Sequence, residues 1–176
     1  MSKVEELSQL TGLTEARVHQ LLTSSLESLE RTLFKPGNGK LSKRILTFGL
    51  QAGDTCPGKT DLCGEKCDAT QHYYRMDNVK TPRLENMILA NRPDFADLVV
   101  DELSYLRQKV VRIHDSGDFF SNEYAEAWLD VARRDKKRRF FAFTRSWRVS
   151  DILPVMVKIS KLKNFRMWYS IDRETG

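Results

Sequence analysis

The sequence predicts an α/β protein, a parallel sheet with a helical arm in front of it. Three observations carry this. From Val110 onward, short apolar runs alternate with amphipathic helical stretches, the mark of right-handed βαβ units. Each apolar run ends in small polar or charged residues, as strands do where they feed loops. Residues 2–34 carry helical spacing only and precede the first strand.

The arm is expected to be two helices. Val4, Leu7 and Leu10 form one apolar face, Gly12 interrupts it, and Thr14 caps a second helix with Glu15 behind it. That helix is expected to carry Val18, Leu21, Leu22, Leu26, Leu29 and Leu33. A helix–turn–helix reader of DNA and a helical arm packed on the main body or a partner both suit such a pair. Pro36–Gly39 reads as a turn and divides an arm (1–36) from the main body (37–176).

Ile45–Leu50 is the first strand, and a polar stretch follows to Pro82. Helices are expected over Leu84–Ala90 and Phe95–Gln108, the second with Phe95, Leu98, Val99, Leu103 and Leu106 on one side. Val110–His114 is the second strand. Ser121 then caps a helix whose buried face is Tyr124, Ala127, Trp128 and Val131. Phe140–Phe143 is the third strand, and Ser150-Asp151 opens a helix that tolerates Pro154 in its first turn. Phe165–Tyr169 is the fourth. The chain ends soon after, without a closing helix, as expected of a shortened chain or a short member of its class.

At 176 residues, 40% hydrophobic and 30% charged, the chain fits one soluble domain. No apolar run approaches the ~18–20 residues of a membrane span, and the polar N-terminus lacks a signal-peptide core. A cytoplasmic setting with reduced thiols is expected. A net charge of +5 leaves nucleic acid among the partners. The run Arg133, Arg134, Lys136, Lys137, Arg138 and Arg139 suits either a solvated turn at a helix C-terminus or phosphate contacts.

The three cysteines of the chain, Cys56, Cys63 and Cys67, fall within one twelve-residue polar loop directly after the first strand. An odd count so placed reads as a metal or cluster cradle rather than a disulfide framework. A closed zinc site wants four protein ligands, and His72, separated from Cys67 by four residues, would complete a Cys3His set. A cubane held by three thiolates instead leaves one iron open. Asp115-Ser116-Gly117-Asp118 and Thr144-Arg145-Ser146 follow the next two strands on what should be the same rim, with Ser170 and Asp172 after the fourth. Gly117 permits close backbone approach, the carboxylates suit an ammonium group, and Arg145 suits a carboxylate. Single polar strand ends are also ordinary turn residues. His114 is expected to be a core histidine hydrogen-bonded to its neighbours.

Cys56-Pro-Gly through Cys67, Arg112-Ile-His-Asp-Ser-Gly-Asp-Phe119 with Ala127-Trp128 downstream, and Phe143-Thr-Arg-Ser-Trp147 resemble the phage family called gene product eighty-eight. The likeness runs from about Lys40 to Asp172. The cysteine loop is also similar to those of some phage and bacterial radical S-adenosylmethionine proteins. The resemblance implies a partial βα-barrel, with Cys56, Cys63 and Cys67 on three irons of a 4Fe–4S cluster. The fourth iron would take the amino and carboxylate groups of S-adenosylmethionine. Ser116, Gly117 and Asp118 would meet its amino group, with Thr144, Arg145 and Ser146 on the same cofactor. It further implies the host cytoplasm, with nucleic acid or nucleotide as substrate. A non-enzymatic zinc module binding nucleic acid and a purely structural cluster remain as alternatives.

Overall fold

The computed structural model describes residues 1–38 and 41–175. Its centre is a five-stranded sheet in the order β1-β2-β3-β4-β5, where β1 is Lys35–Asn38, β2 Leu41–Phe48, β3 Val110–Ile113, β4 Arg139–Thr144 and β5 Phe165–Tyr169. β1 pairs antiparallel with β2, and every later pairing is parallel. The protein is therefore an α/β fold whose strands follow one another in space as in sequence. Helices α4 (Asp77–Leu89) and α5 (Phe95–Tyr105) lie between β2 and β3 in the chain. α6 (Asn122–Arg134) and α7 (Leu153–Ser160) make the next two crossovers.

Period-two burial decides which face the helices cover. Leu46, Phe48, Val111, Ile113, Phe140 and Ala142 are buried, and they join the helices in one apolar cluster. Trp128 of α6 is fully buried at its centre, edge-on to Phe48 at 5.3 Å and Phe95 at 5.7 Å between ring centroids. Leu7 of α1 (Lys3–Thr11) and Val18 and Leu21 of α2 (Glu15–Thr23) belong to the same cluster. The residues between these buried ones point to the other side. There Thr47, Arg112, Phe141 and Arg166 lie in one register row. Phe143 and Trp168 remain 48% and 47% exposed.

Ser2, Thr14 and Ser121 cap α1, α2 and α6 through their hydroxyls, the latter two as expected. Other elements differ from the expectation. α2 stops at Thr23 instead of running to Leu33, because the Ser24-Ser25 pair leaves the helix and Glu30 takes a positive φ of 50°. Leu29 and Leu33 still reach the core from irregular chain. α4 starts at Asp77 and passes through Pro82. The Arg83 guanidinium donates to the Val79 carbonyl at 2.8 Å inside this helix, and Asn86 donates to the Leu33 and Gly49 carbonyls. α5 ends at Tyr105 rather than Gln108. The expected turn and boundary at Pro36–Gly39 falls on the hairpin edge instead: Pro36 and Gly37 sit in β1, while Gly39 lies outside the described residues.

His114 is the core histidine that its strand position suggests. It is 4% exposed, 2.8 Å from the Tyr124 hydroxyl through Nε2, and held at a positive φ of 65°. Burial pushes its pKa down to about 3. A depressed base stabilises the fold above its unfolded value and loses that contribution as pH falls toward the folded one. This group should therefore remove about 1.4 kcal/mol of stability per pH unit below about pH 6. His114→Asn, which tolerates the left-handed backbone, should show a shallower acid slope than the parent in urea titrations at pH 7, 5 and 4. Equal slopes would remove His114 from the acid response.

Candidate metal and cofactor site

The loop after β2 is shaped by short local bonds. The Cys56 amide donates to the Gly53 carbonyl at 3.2 Å, and the Lys59 amide to the Cys56 carbonyl at 3.2 Å. Thr60 caps the short helix α3 (Asp61–Glu65), its hydroxyl accepting from the Cys63 amide at 3.0 Å. Cys67 precedes a 3-10 turn at Asp68–Thr70 and accepts from the Thr70 hydroxyl at 2.9 Å. All three thiols are free and half-buried. Burial pushes the Cys56 thiol up to about 11, and the charges of Asp118, Cys67 and Cys63 push the same way.

The expected partners on the neighbouring strand ends are on this rim, and they hold the loop in place. Asp118 is 6% exposed. Its Oδ1 accepts from the Thr144 hydroxyl at 2.6 Å and the Phe119 amide at 2.8 Å. Its Oδ2 accepts from the amides of Arg145 at 2.7 Å and Ser146 at 3.2 Å. The Asp118 amide in turn donates to the Thr55 carbonyl at 3.0 Å, next to Cys56. Burial raises the Asp118 pKa, and these donors oppose that rise. The Ser116 hydroxyl donates to the Leu50 carbonyl at 2.7 Å and accepts from Arg83. Gly117 adopts φ 79°, and a side chain there would meet Thr55 Oγ1 at 2.6 Å and Leu50 Cβ at 2.7 Å.

The fourth strand end closes the ring. Arg145 pairs with Asp172 at 2.9 Å, and the Thr60 hydroxyl donates to the same carboxylate at 2.7 Å, which holds its pKa below the usual range. The Arg148 guanidinium donates to the Gly58 carbonyl at 2.9 Å, and Trp147 Nε1 to the Ser170 carbonyl at 3.1 Å. The Ser146 hydroxyl is buried without a hydrogen-bond partner among the described residues.

Soft sulfur donors suit zinc or an iron–sulfur cluster over hard cations. The donor set thus fits such a group in kind. Among the described residues, however, no three His, Cys, Asp or Glu side chains stand at metal-ligating spacing, and that holds equally for the set with His72. A metal would also have to displace the proton that burial keeps on Cys56.

The basic run does not present one surface. Arg138 is buried, pairs with Asp135, and donates to the carbonyls of Leu103, Leu106 and Gln108, closing the end of α5. Arg134 pairs with Asp97 and Asp130. Arg133, Lys136 and Lys137 are exposed, and Arg139 lies on the helix-free face of the sheet.

Sequence reasoning missed a cleft of about 800 Å³ on that face, with Lys35, Tyr73, Tyr74, Arg83 and Arg112 in its lining. Its one sequence signal is Arg112, a charge in the middle of an otherwise apolar strand. Arg83 pairs with Asp115 at 2.7 Å and lies 4.8 Å over the Tyr74 ring.

Fold and site together define an α/β protein with a helix-free sheet face and a three-cysteine loop tied to its carboxyl rim. The chain belongs to the Gene product 88 family, whose model matches residues 21–176. It is 30% identical over 139 residues to the Gene 88 protein of Mycobacterium phage D29 and 29% identical to that of Mycobacterium phage L5. Each alignment covers 72% of this chain and 56% of the relative, so the chain spans about half the length of the curated relatives it matches. No solved structure matches. Among the described residues no helix is long and apolar enough to cross a membrane.

Gly58 offers a direct check on the tied rim. A side chain there would meet the Arg145 carbonyl oxygen at 2.1 Å, a backbone atom that cannot swing aside. Gly58→Ala should destabilise the fold by about 1–3 kcal/mol in urea unfolding. An unchanged midpoint would mean that the loop and the β4 end are not in contact.

Proposed function

We propose that this chain is an iron–sulfur protein of radical S-adenosylmethionine type. Cys56, Cys63 and Cys67 would hold a 4Fe–4S cluster and leave one iron open to the amino and carboxylate groups of S-adenosylmethionine. The observation that carries the reading is that three thiols share one loop at the carboxyl end of a parallel strand, where open α/β sheets bind ligands. The bound cluster would supply one-electron chemistry on the sulfonium cofactor, the protein contributing binding and orientation.

Each protein group then has a stated part. Thr60 and Thr70 set the loop around Cys63 and Cys67. Ser116 and Asp118 tie that loop to the end of β3, Gly117 leaving room for the approach, and Asp118 in turn accepts from Thr144, Arg145 and Ser146 at the end of β4. The amino-acid end of the cofactor is proposed to meet this same rim. The reducing host cytoplasm is the proposed setting, since it keeps the thiols available.

Anaerobic reconstitution followed by iron and sulfide analysis tests the reading. About four iron per chain are expected, lost in Cys56→Ala, Cys63→Ala or Cys67→Ala and kept in His72→Ala. Electron paramagnetic resonance of the reduced protein should change when S-adenosylmethionine is added. A cluster whose spectrum ignores the cofactor would be structural. A colourless protein that takes up zinc and loses it in His72→Ala would be a Cys3His module instead, and either result would overturn the proposal.

A further inference from the structure

Parallel sheets are nearly always covered on both faces. In this one the strand residues opposite the helices form a surface of their own. In register across β2 to β4 come Ile45, Val110 and Arg139, then Thr47, Arg112 and Phe141, with Arg166 extending the second row on β5. Phe143 and Trp168 make the next row and stack at 5.0 Å with an interplanar angle of 16°. Phe141 stands edge-on to both, at 6.4 and 6.0 Å. Lys35 joins the near edge opposite Thr47. None of these strand positions is an acid.

Arg112 is the informative residue. It is half-buried at the middle of the sheet, with its guanidinium 5.9 Å from the Phe143 ring centroid. Among the described residues it makes no ion pair, and its buried Nε has no hydrogen-bond partner. Asp68 and Asp115 line the same cleft, but Asp115 is held by Arg83 and neither pairs with Arg112, so the half-buried guanidinium favours an added anionic partner. The neighbouring rings call for a flat one.

We infer that this face binds single-stranded nucleic acid, with bases stacking on Phe143 and Trp168 and a backbone phosphate on Arg112. Lys35, Arg139 and Arg166 flank the path. Four strand intervals of about 4.8 Å make a platform about 19 Å wide, enough for the two or three bases that sheet platforms stack. A duplex hides its base faces and would leave the rings unused. A second copy would set like charges against one another, since a twofold interface pairs a patch with itself. The inference does not depend on the cluster, because the face is formed by protein alone.

Fluorescence anisotropy of metal-free protein with labelled oligothymidylate and oligouridylate tests it, with duplex DNA as competitor. Single strands should bind and duplex should compete poorly. Trp168→Ala and Phe143→Ala should each weaken binding about tenfold or more, as loss of base stacking does. Arg112→Ala should lower the slope of log affinity against log salt by about 0.7, one single-strand phosphate. Exposed Arg166→Ala serves as a second cationic variant, and thermal melts confirm that each variant is folded. Lys136→Ala with Lys137→Ala, in the turn before β4, should leave binding unchanged. Absence of binding at low salt, preference for duplex, or loss confined to the Lys136 and Lys137 variant would each overturn the inference. The first two of these results would leave the cluster proposal standing, and iron content measured on the same protein reports on it separately.

Discussion

One buried carboxylate holds the working edge of this protein together. Asp118 collects the Thr144 hydroxyl and the amides of Phe119, Arg145 and Ser146, while its own amide donates to the chain one residue before Cys56. Three segments that the fold brings side by side, the loops after β2, β3 and β4, thus meet at one residue. Hydrogen bonds to a charged group contribute about 1.5–3 kcal/mol each. That is the scale needed to offset burying the charge, whose cost shows in the raised Asp118 pKa. Smaller ties on the same rim run alongside that junction: Ser116 to Leu50, Arg148 to Gly58, and Arg145 with Thr60 to Asp172.

The rim matters because the sheet beneath it has two unlike faces. One is sealed by the helices around Trp128, Phe48 and Phe95, where ring burial dominates the energetics. The other carries rings and cations that the described chain leaves to solvent, with a cleft of about 800 Å³ at its near side. The cysteine loop lies at the carboxyl edge of that sheet. The proposed cluster at the rim and the proposed binding platform on the adjoining face would be neighbours.

The parallel strands were legible because each is a short apolar run bounded by turn residues, and Phe165–Tyr169 was placed to the residue. Thr14 and Ser121 were legible as caps because a hydroxyl before a helical pattern has a local meaning. β1 was not: Lys35–Asn38 contains Pro36 and has no alternation, and only its place on an edge makes a strand possible there. Nor was the path of α4 through Pro82, since its polar contacts to Leu33 and Gly49 come from far along the chain. Of the site, the thiols and the strand-end residues were visible as a set. Their wiring was not, because the β4-end partners of Asp118 lie 26 to 28 residues away. Arg112 stood in plain sight, but only the helix-free face gives a strand charge its significance.

Native-state hydrogen exchange on Asp118→Asn tests the tied rim most directly. The substitution keeps the shape of the side chain but turns an acceptor oxygen into a donor against the Arg145 and Ser146 amides or the Phe119 amide and Thr144 hydroxyl. The account predicts that protection falls together at Arg145, Ser146, Cys56 and Lys59, while Trp128 and the core strands keep theirs. Loss confined to Arg145 and Ser146, with the cysteine loop unmoved, would contradict it.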